Sequence, residues 1–295
     1  MQDVFSPWFH YPALGYAYFL NVIGIVSHGV FIRQFLRDRS FRSRYNFFCL
    51  WRSIMNIAAI IISLYSYNVA VISRQSLYSD FILPITFSIS IYLMGSEVVL
   101  ALNRFSVIVF WRSYDLVFTK RNSMIFACSP LIGSFIVLAI LLTHGCQIEL
   151  CLDVLDYEFE IADGFCVQFS HDLLYLYGFI FLATLCVNII TSVVLIRLTY
   201  NNSRKGNSSI PSHTSRNIRS FIHSFTQLLL WTLILLDYGF IDVESFPYPF
   251  LGFMVITSAY GNRATIEGLL LVIFNWKSIR SRNVTVSVNP TSRTF

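Results

Sequence analysis

Seven runs of mostly apolar residues divide the chain, at about 11–32, 54–72, 81–102, 124–143, 173–196, 221–241 and 250–274. A helix needs ~20 residues to cross a hydrocarbon core ~30 Å thick. Inside that core every backbone N–H and C=O must be bonded within the protein, which leaves helices and closed barrels as the spanning structures. Runs of this length therefore predict an all-α membrane protein, a single seven-transmembrane helix bundle spanning residues 1–295 with a polar tail over 275–295. Only 13% of the residues are charged, against roughly 25% in a soluble domain.

The charges between the runs set the orientation. No basic segment precedes the first run and no small-residue cleavage site follows it, so it reads as a membrane span and not as a removable signal peptide. Arg33, Arg37, Arg39, Arg42, Arg44 and Arg52 come next, opposed only by Asp38. Lysine and arginine favour the cytoplasmic side, so this connection is expected inside and the N-terminus outside. All lysines and arginines but Arg74 and Arg263 then fall in the first, third and fifth connections or the tail. The longest connection on the other side, His144 to Asp172, carries seven acidic residues, Glu149, Asp153, Asp156, Glu158, Glu160, Asp163 and Asp172, and neither lysine nor arginine. The expected topology is an extracellular N-terminus and a cytoplasmic C-terminus, at the plasma membrane.

The stretch MGSEVVLALNRFSVIVFWRSYDLVF, Met94 to Phe118, carries the most distinctive chemistry. Charges in hydrocarbon are costly, face the bundle interior and find partners there. Glu97, Ala101 and Arg104 share one face of the third helix at i, i+4 and i+7. Arg263 and Glu267, at i and i+4 in the seventh, can touch. Glu97, Arg263 and Glu267 are therefore read as an interior polar network that holds the resting packing, the other reading being a permanent structural ion pair. Asp237, one turn from the outer end of the sixth run, is a candidate ligand contact, or a carboxylate that simply reaches water. His28 and His223 stand alone, each a solvated or packed residue and not a metal ligand.

Several classes are excluded. Lys120, Lys205 and Lys277 are the only lysines and all lie outside the runs, so no buried amine can hold retinal as a Schiff base. Glycine-rich nucleotide loops, HExxH, GxSxG and clustered histidines are absent from the sequence. No enzymatic activity, cofactor, metal or nucleic-acid partner is expected. Neither an internal repeat nor a matched pair of Gly/Pro-broken spans points to a transporter.

The third-helix ending LNRF, followed by WRSYDLVFTKRN, and the seventh-run ending LLLVIFNWKSIR are similar to the nematode chemosensory serpentine receptors, G-protein-coupled in type. Among these the chain most resembles the Srg superfamily, class V or class X. The resemblance implies that Asn103, Arg104 and Phe105 stand where rhodopsin-like receptors carry their Asp/Glu-Arg-Tyr signature, and that they couple to a heterotrimeric G protein. It also implies a small-molecule ligand, odorant-like or pheromone-like, and a short membrane-lying helix from Asn275. The chain departs from the rhodopsin-like pattern in lacking prolines inside its last three spans, an Asn-Pro-x-x-Tyr sequence, and a cysteine between Phe81 and Glu97. Cys146, Cys151 and Cys166 remain in the acidic loop, where two of them can pair and one is left over.

The competing reading is a seven-helix ligand-gated channel or transporter with the N-terminus inside. Sequons at Asn201, Asn207 and Asn283 discriminate between the two, because all three are expected on the cytoplasmic side.

Overall fold

Six of the apolar runs overlap helices that outreach them at one end or both. In the computed structural model the residues described are 10–73, 77–79, 81–110, 112–146, 148–151, 156–159, 164–204, 221–223, 225–232, 253–254 and 258–285. Among them α1 is His10–Arg37, α2 Arg44–Ser73, α3 Ile82–Val109, α4 Tyr114–Val117, α5 Lys120–Thr143, α6 Gly164–Arg204 and α7 Ala259–Thr285. α1, α2, α3, α5 and α6 are each long and apolar enough to cross a membrane. The stretches 221–223 and 225–232, within the sixth run, are helical as well.

Helix ends and interior hydroxyls follow the rule that polar groups removed from water need partners. The last carbonyls of α1 are orphaned by the helix geometry. Arg42 turns back onto them, Nε donating to Phe35 O at 3.1 Å and Nη2 to Leu36 O at 2.6 Å. Thr119 caps α5, its hydroxyl accepting from the Asn122 N–H at 3.2 Å. Serines and threonines inside the spans donate back to the preceding turn, as Ser88 does to Pro84 O and Thr191 to Val187 O. Pro130 lies inside α5 and brings no N–H to the Phe126 carbonyl one turn earlier. Ser129 Oγ donates to that carbonyl instead, at 3.0 Å.

Small residues set the closest helix contacts, as expected where interhelical packing cannot draw on the hydrophobic effect. A Cβ on Gly24 of α1 would lie 2.7 Å from Thr265 Oγ1 of α7, and one on Gly268 of α7 would lie 3.0 Å from Ser27 Cβ and 3.1 Å from His28 Cδ2. α3 approaches α5 where Gly95 meets Pro130.

The helical class holds, with an addition. Three short strands, β1 Leu77–Ser79, β2 Ile148–Cys151 and β3 Asp156–Phe159, form an antiparallel sheet in the order β1-β2-β3. It joins the α2–α3 connection to the α5–α6 connection, at one end of the bundle. Leu150 of β2 is fully buried in a core cluster with Ala13, Ala17, Tyr67, Leu83 and Phe253. Strands of three or four residues give no alternation long enough to read from sequence, so charge alone defines that loop at the sequence level.

Three expected boundaries change. α3 continues to Val109, so Asn103 and Arg104 lie inside the helix and do not close it. α6 begins at Gly164, which places Cys166 in its first turn and not in the loop. α7 is helical through Thr285, so no separate helix starts at Asn275.

Candidate functional site

Arg52 is the centre of the buried polar cluster, and sequence reasoning assigns it elsewhere. Charge counting places it in the cytoplasmic arginine connection, whereas it sits fully buried in α2. Its Nε donates to Glu267 Oε1 at 2.7 Å and its Nη2 to Glu267 Oε2 at 2.8 Å, a bidentate fork on one carboxylate. Nη2 also lies 2.7 Å from Glu97 Oε1. Nη1 donates to Leu93 O at 3.0 Å and Ser96 Oγ at 2.8 Å. One guanidinium thus ties α2, α3 and α7 together with all three of its nitrogens.

Arg263 extends the cluster within α7. Its Nη1 lies 3.4 Å from Glu267 Oε2, its Nη2 donates to Asn56 Oδ1 at 3.1 Å, and its guanidinium sits 4.6 Å from the centre of the Trp231 ring. Glu97, Arg263 and Glu267, the three residues expected to form a network, are brought together, but Arg52 is what joins Glu97 to the other two. The two arginines balance the two glutamates, which is the condition under which charges are tolerated in a low-dielectric interior. His28 packs beside them. Its Nε2 donates to the Ala264 carbonyl at 2.9 Å, and its Nδ1 lies 3.0 Å from Ser53 Oγ.

A second polar layer lies two helical turns away, toward the end opposite the sheet. Glu97 and Arg104 stand seven residues apart on α3 (i, i+7), and Arg52 and Tyr45 are spaced the same way on α2, about 10 Å along each axis. Arg104 is 3% exposed. Its Nη2 donates to the Tyr45 hydroxyl at 2.5 Å, and its guanidinium lies 4.6 Å from the centre of the Tyr45 ring. The Tyr45 hydroxyl is 2.6 Å from His223 Nδ1. Asn103 Nδ2 donates to the Tyr114 hydroxyl of α4 at 3.0 Å. Arg44 lies over the Tyr114 ring and pairs with Asp115, which fastens α4 to the start of α2. Phe105 meets Phe110 edge to face at 5.5 Å.

The Asn103-Arg104-Phe105 stretch therefore has a division of labour. Asn103 holds the connection after α3, and Arg104 reaches α2 and, through Tyr45, the stretch containing His223. Sequence reasoning misses Tyr45, Arg52, Asn56, Tyr114 and His223 as members. A usable signal is the shared spacing on two helices, Tyr45 to Arg52 and Glu97 to Arg104, which places tyrosine opposite arginine and arginine opposite glutamate. His28 and His223, read as solvated or packed, are both packed and bonded.

At the sheet end, Cys146 pairs with Cys166, with Cα atoms 5.6 Å apart. The bond joins the chain just before β2 to the first turn of α6. Cys151 lies in β2. Asp237, the candidate ligand contact, falls outside the described residues. No group of three or more metal-binding side chains occurs among the described residues.

A bundle of membrane-length helices, three of them joined by a buried ion cluster, is the architecture of a multi-pass membrane protein. The family described as "Serpentine type 7TM GPCR chemoreceptor Srx" matches residues 18–275, and the chain belongs to that family. It is 26% identical over 217 residues to serpentine receptor class X 45 of Caenorhabditis elegans, a match that covers 67% of this chain and 57% of that relative. Of the two classes the sequence resembles, class X is therefore the one found.

Proposed function

We propose that the chain is a chemosensory receptor that detects a small molecule, odorant-like or pheromone-like, and signals to a heterotrimeric G protein from the plasma membrane of a sensory cell. The N-terminus and the sheet face the exterior, and α4 with the Arg104 layer faces the cytoplasm. The ligand binds one helix arrangement more tightly than another and shifts the population by no more than that difference in affinity. Asn103, Arg104 and Phe105 form the coupling end, and the Glu97, Arg263 and Glu267 network, completed by Arg52, holds the resting packing. Asp237 remains the proposed ligand contact on sequence grounds.

The observation that carries this reading is the placement of two polar layers on one helix. Glu97 belongs to the central ion cluster and Arg104 to the layer two turns away on α3, so one helix links the two. Serpentine chemoreceptor membership supplies the receptor class; the G protein and the ligand are the added steps. The test is expression in a heterologous cell with a G-protein readout against a panel of volatile and excreted small molecules. A response that Arg104→Ala abolishes at normal surface level is the expected result. A full response from Arg104→Ala would remove the arginine from the coupling role.

A further inference from the structure

Among the described residues Arg104 is a buried cation with no carboxylate against it. It differs in this from Arg44, Arg52 and Arg263, each of which lies against a carboxylate. Its partner is the Tyr45 side chain, which meets the guanidinium with both its ring face and its hydroxyl. The hydroxyl accepts from Arg104, and with His223 protonated on Nε2 its own proton meets the free Nδ1 lone pair 2.6 Å away. The His223 ring meets Phe274 of α7 edge-on at 6.3 Å. One tyrosine hydroxyl thus joins α2, α3 and the helical stretch that contains His223.

The satisfaction of these groups is incomplete. Arg104 Nε and Nη1 and His223 Nε2 have no hydrogen-bond partner among the described residues. Gln227, one turn on from His223 and fully buried, has none for either amide atom. Burying donors without acceptors is costly, and most costly when the donor is charged. The arrangement therefore holds Arg104 in place while leaving it short of acceptors.

We propose that Tyr45 and His223 form an uncharged latch that keeps the Arg104 end of the bundle closed, and that the latch is weak by construction because it never neutralises the arginine. The signalling consequence rests on the G-protein reading above; the latch itself rests on geometry alone. Parting the His223 stretch from α2 breaks the Tyr45–His223 bond and exposes an arginine with two donors already uncommitted. A carboxylate in the place of Tyr45 would hold Arg104 far more tightly. The hydroxyl lets one modest bond govern the opening.

The experiment uses the full chain in nanodiscs, with non-natural amino-acid labels at the exposed positions Leu116 and Ile222, and reads the ratio of long to short label distances. Loss of one net hydrogen bond shifts such a ratio about fivefold. Tyr45→Phe keeps the ring over Arg104 and removes the hydroxyl that joins Arg104 to His223; of the bonds lost, the one to His223 is the one that opening breaks, so the open fraction is expected to rise by about that factor. His223→Ala should do the same, and the double variant should exceed neither single one, because both remove the same Tyr45–His223 bond. His223→Gln offers an amide oxygen to the same hydroxyl and should stay within about twofold of the parent; it also serves where His223→Ala does not fold. Unchanged distances in Tyr45→Phe, an opening in His223→Gln as large as in Tyr45→Phe, or single effects that multiply in the double variant, would overturn the latch. Basal nucleotide exchange on a G protein is read in parallel. Opening without a gain in exchange supports the latch and counts against the G-protein reading; opening with a gain supports both.

Discussion

Arg52 of α2 holds both carboxylate oxygens of Glu267 in α7, at 2.7 and 2.8 Å, across a separation of 215 positions in sequence. Both side chains are fully buried. Removing one partner of a buried pair leaves an uncompensated charge and costs ~3–5 kcal/mol, whereas removing both can be close to neutral. Arg52→Leu is therefore expected to lower the thermal midpoint of the purified protein steeply, since it removes the cation paired with Glu97 and leaves Glu267 with Arg263 alone. Arg52→Leu with Glu267→Leu leaves Glu97 and Arg263 as the remaining opposite charges. It should lose less than the two single variants summed, with a coupling of about 1–3 kcal/mol in a double-mutant cycle. Strict additivity would mean that the fork does not act as a unit.

The same cluster allows a test of switching against scaffolding. Glu97→Gln removes the charge facing Arg52, and Arg263→Met removes the cation that sits over Trp231 while keeping much of its volume. If the network holds the resting packing, each variant changes basal signalling at matched surface level, by about fivefold or more for a bias of ~1 kcal/mol between two states. Altered expression with unaltered basal and ligand-driven signalling would identify a permanent structural ion pair.

The α1–α7 interface predicts a contrast between two glycines of one helix. A Cβ at Gly24 would fall 2.7 Å from Thr265 Oγ1 and 3.3 Å from Thr265 Cα, and the threonine is held by its own bond to Leu20 O. At Gly15 nothing lies within 4 Å. Gly24→Ala should destabilise by ~1–3 kcal/mol through overpacking. Gly15→Ala should leave stability unchanged or raise it by a few tenths of a kcal/mol, since alanine is the better helix former. Equal thermal midpoints for the two variants would argue against the close approach of α1 and α7.

How much of this was readable from sequence differs between the helices and the site. The bundle is legible because hydrocarbon imposes length and polarity on each span separately, so 81–102 and 124–143 announce themselves without knowledge of their neighbours. Glu97, Arg263 and Glu267 are legible for the same reason, as charges inside such spans. Arg52 is not, because it follows a row of arginines and only its partners, distant in sequence, reveal that it is buried. Tyr45 and His223 carry no charge pattern at all, and their roles exist only once α2, α3 and the His223 stretch are packed. The sheet is hidden for a different reason: its strands are too short to show period-two alternation, and the loop's acidity dominates what can be read from it.

Topology yields the sharpest test. The sequons at Asn201, Asn207 and Asn283 lie in the α6 end, the connection that follows it, and the α7 end. If the Arg104 layer faces the cytoplasm, none of the three meets the glycosylation machinery, which acts only on the luminal side. The protein expressed in animal cells should therefore show no change in electrophoretic mobility on treatment with an N-glycosidase. A sequon moved by substitution into the β2–β3 connection, Leu152→Asn with Val154→Thr, should acquire a sugar and produce a shift that the glycosidase removes. Sugar on any native sequon, with the new one bare, would turn the bundle over. It would put the arginine-rich connection and α4 outside the cell, and an inward-facing N-terminus would then favour a channel or transporter over a receptor coupled to a G protein.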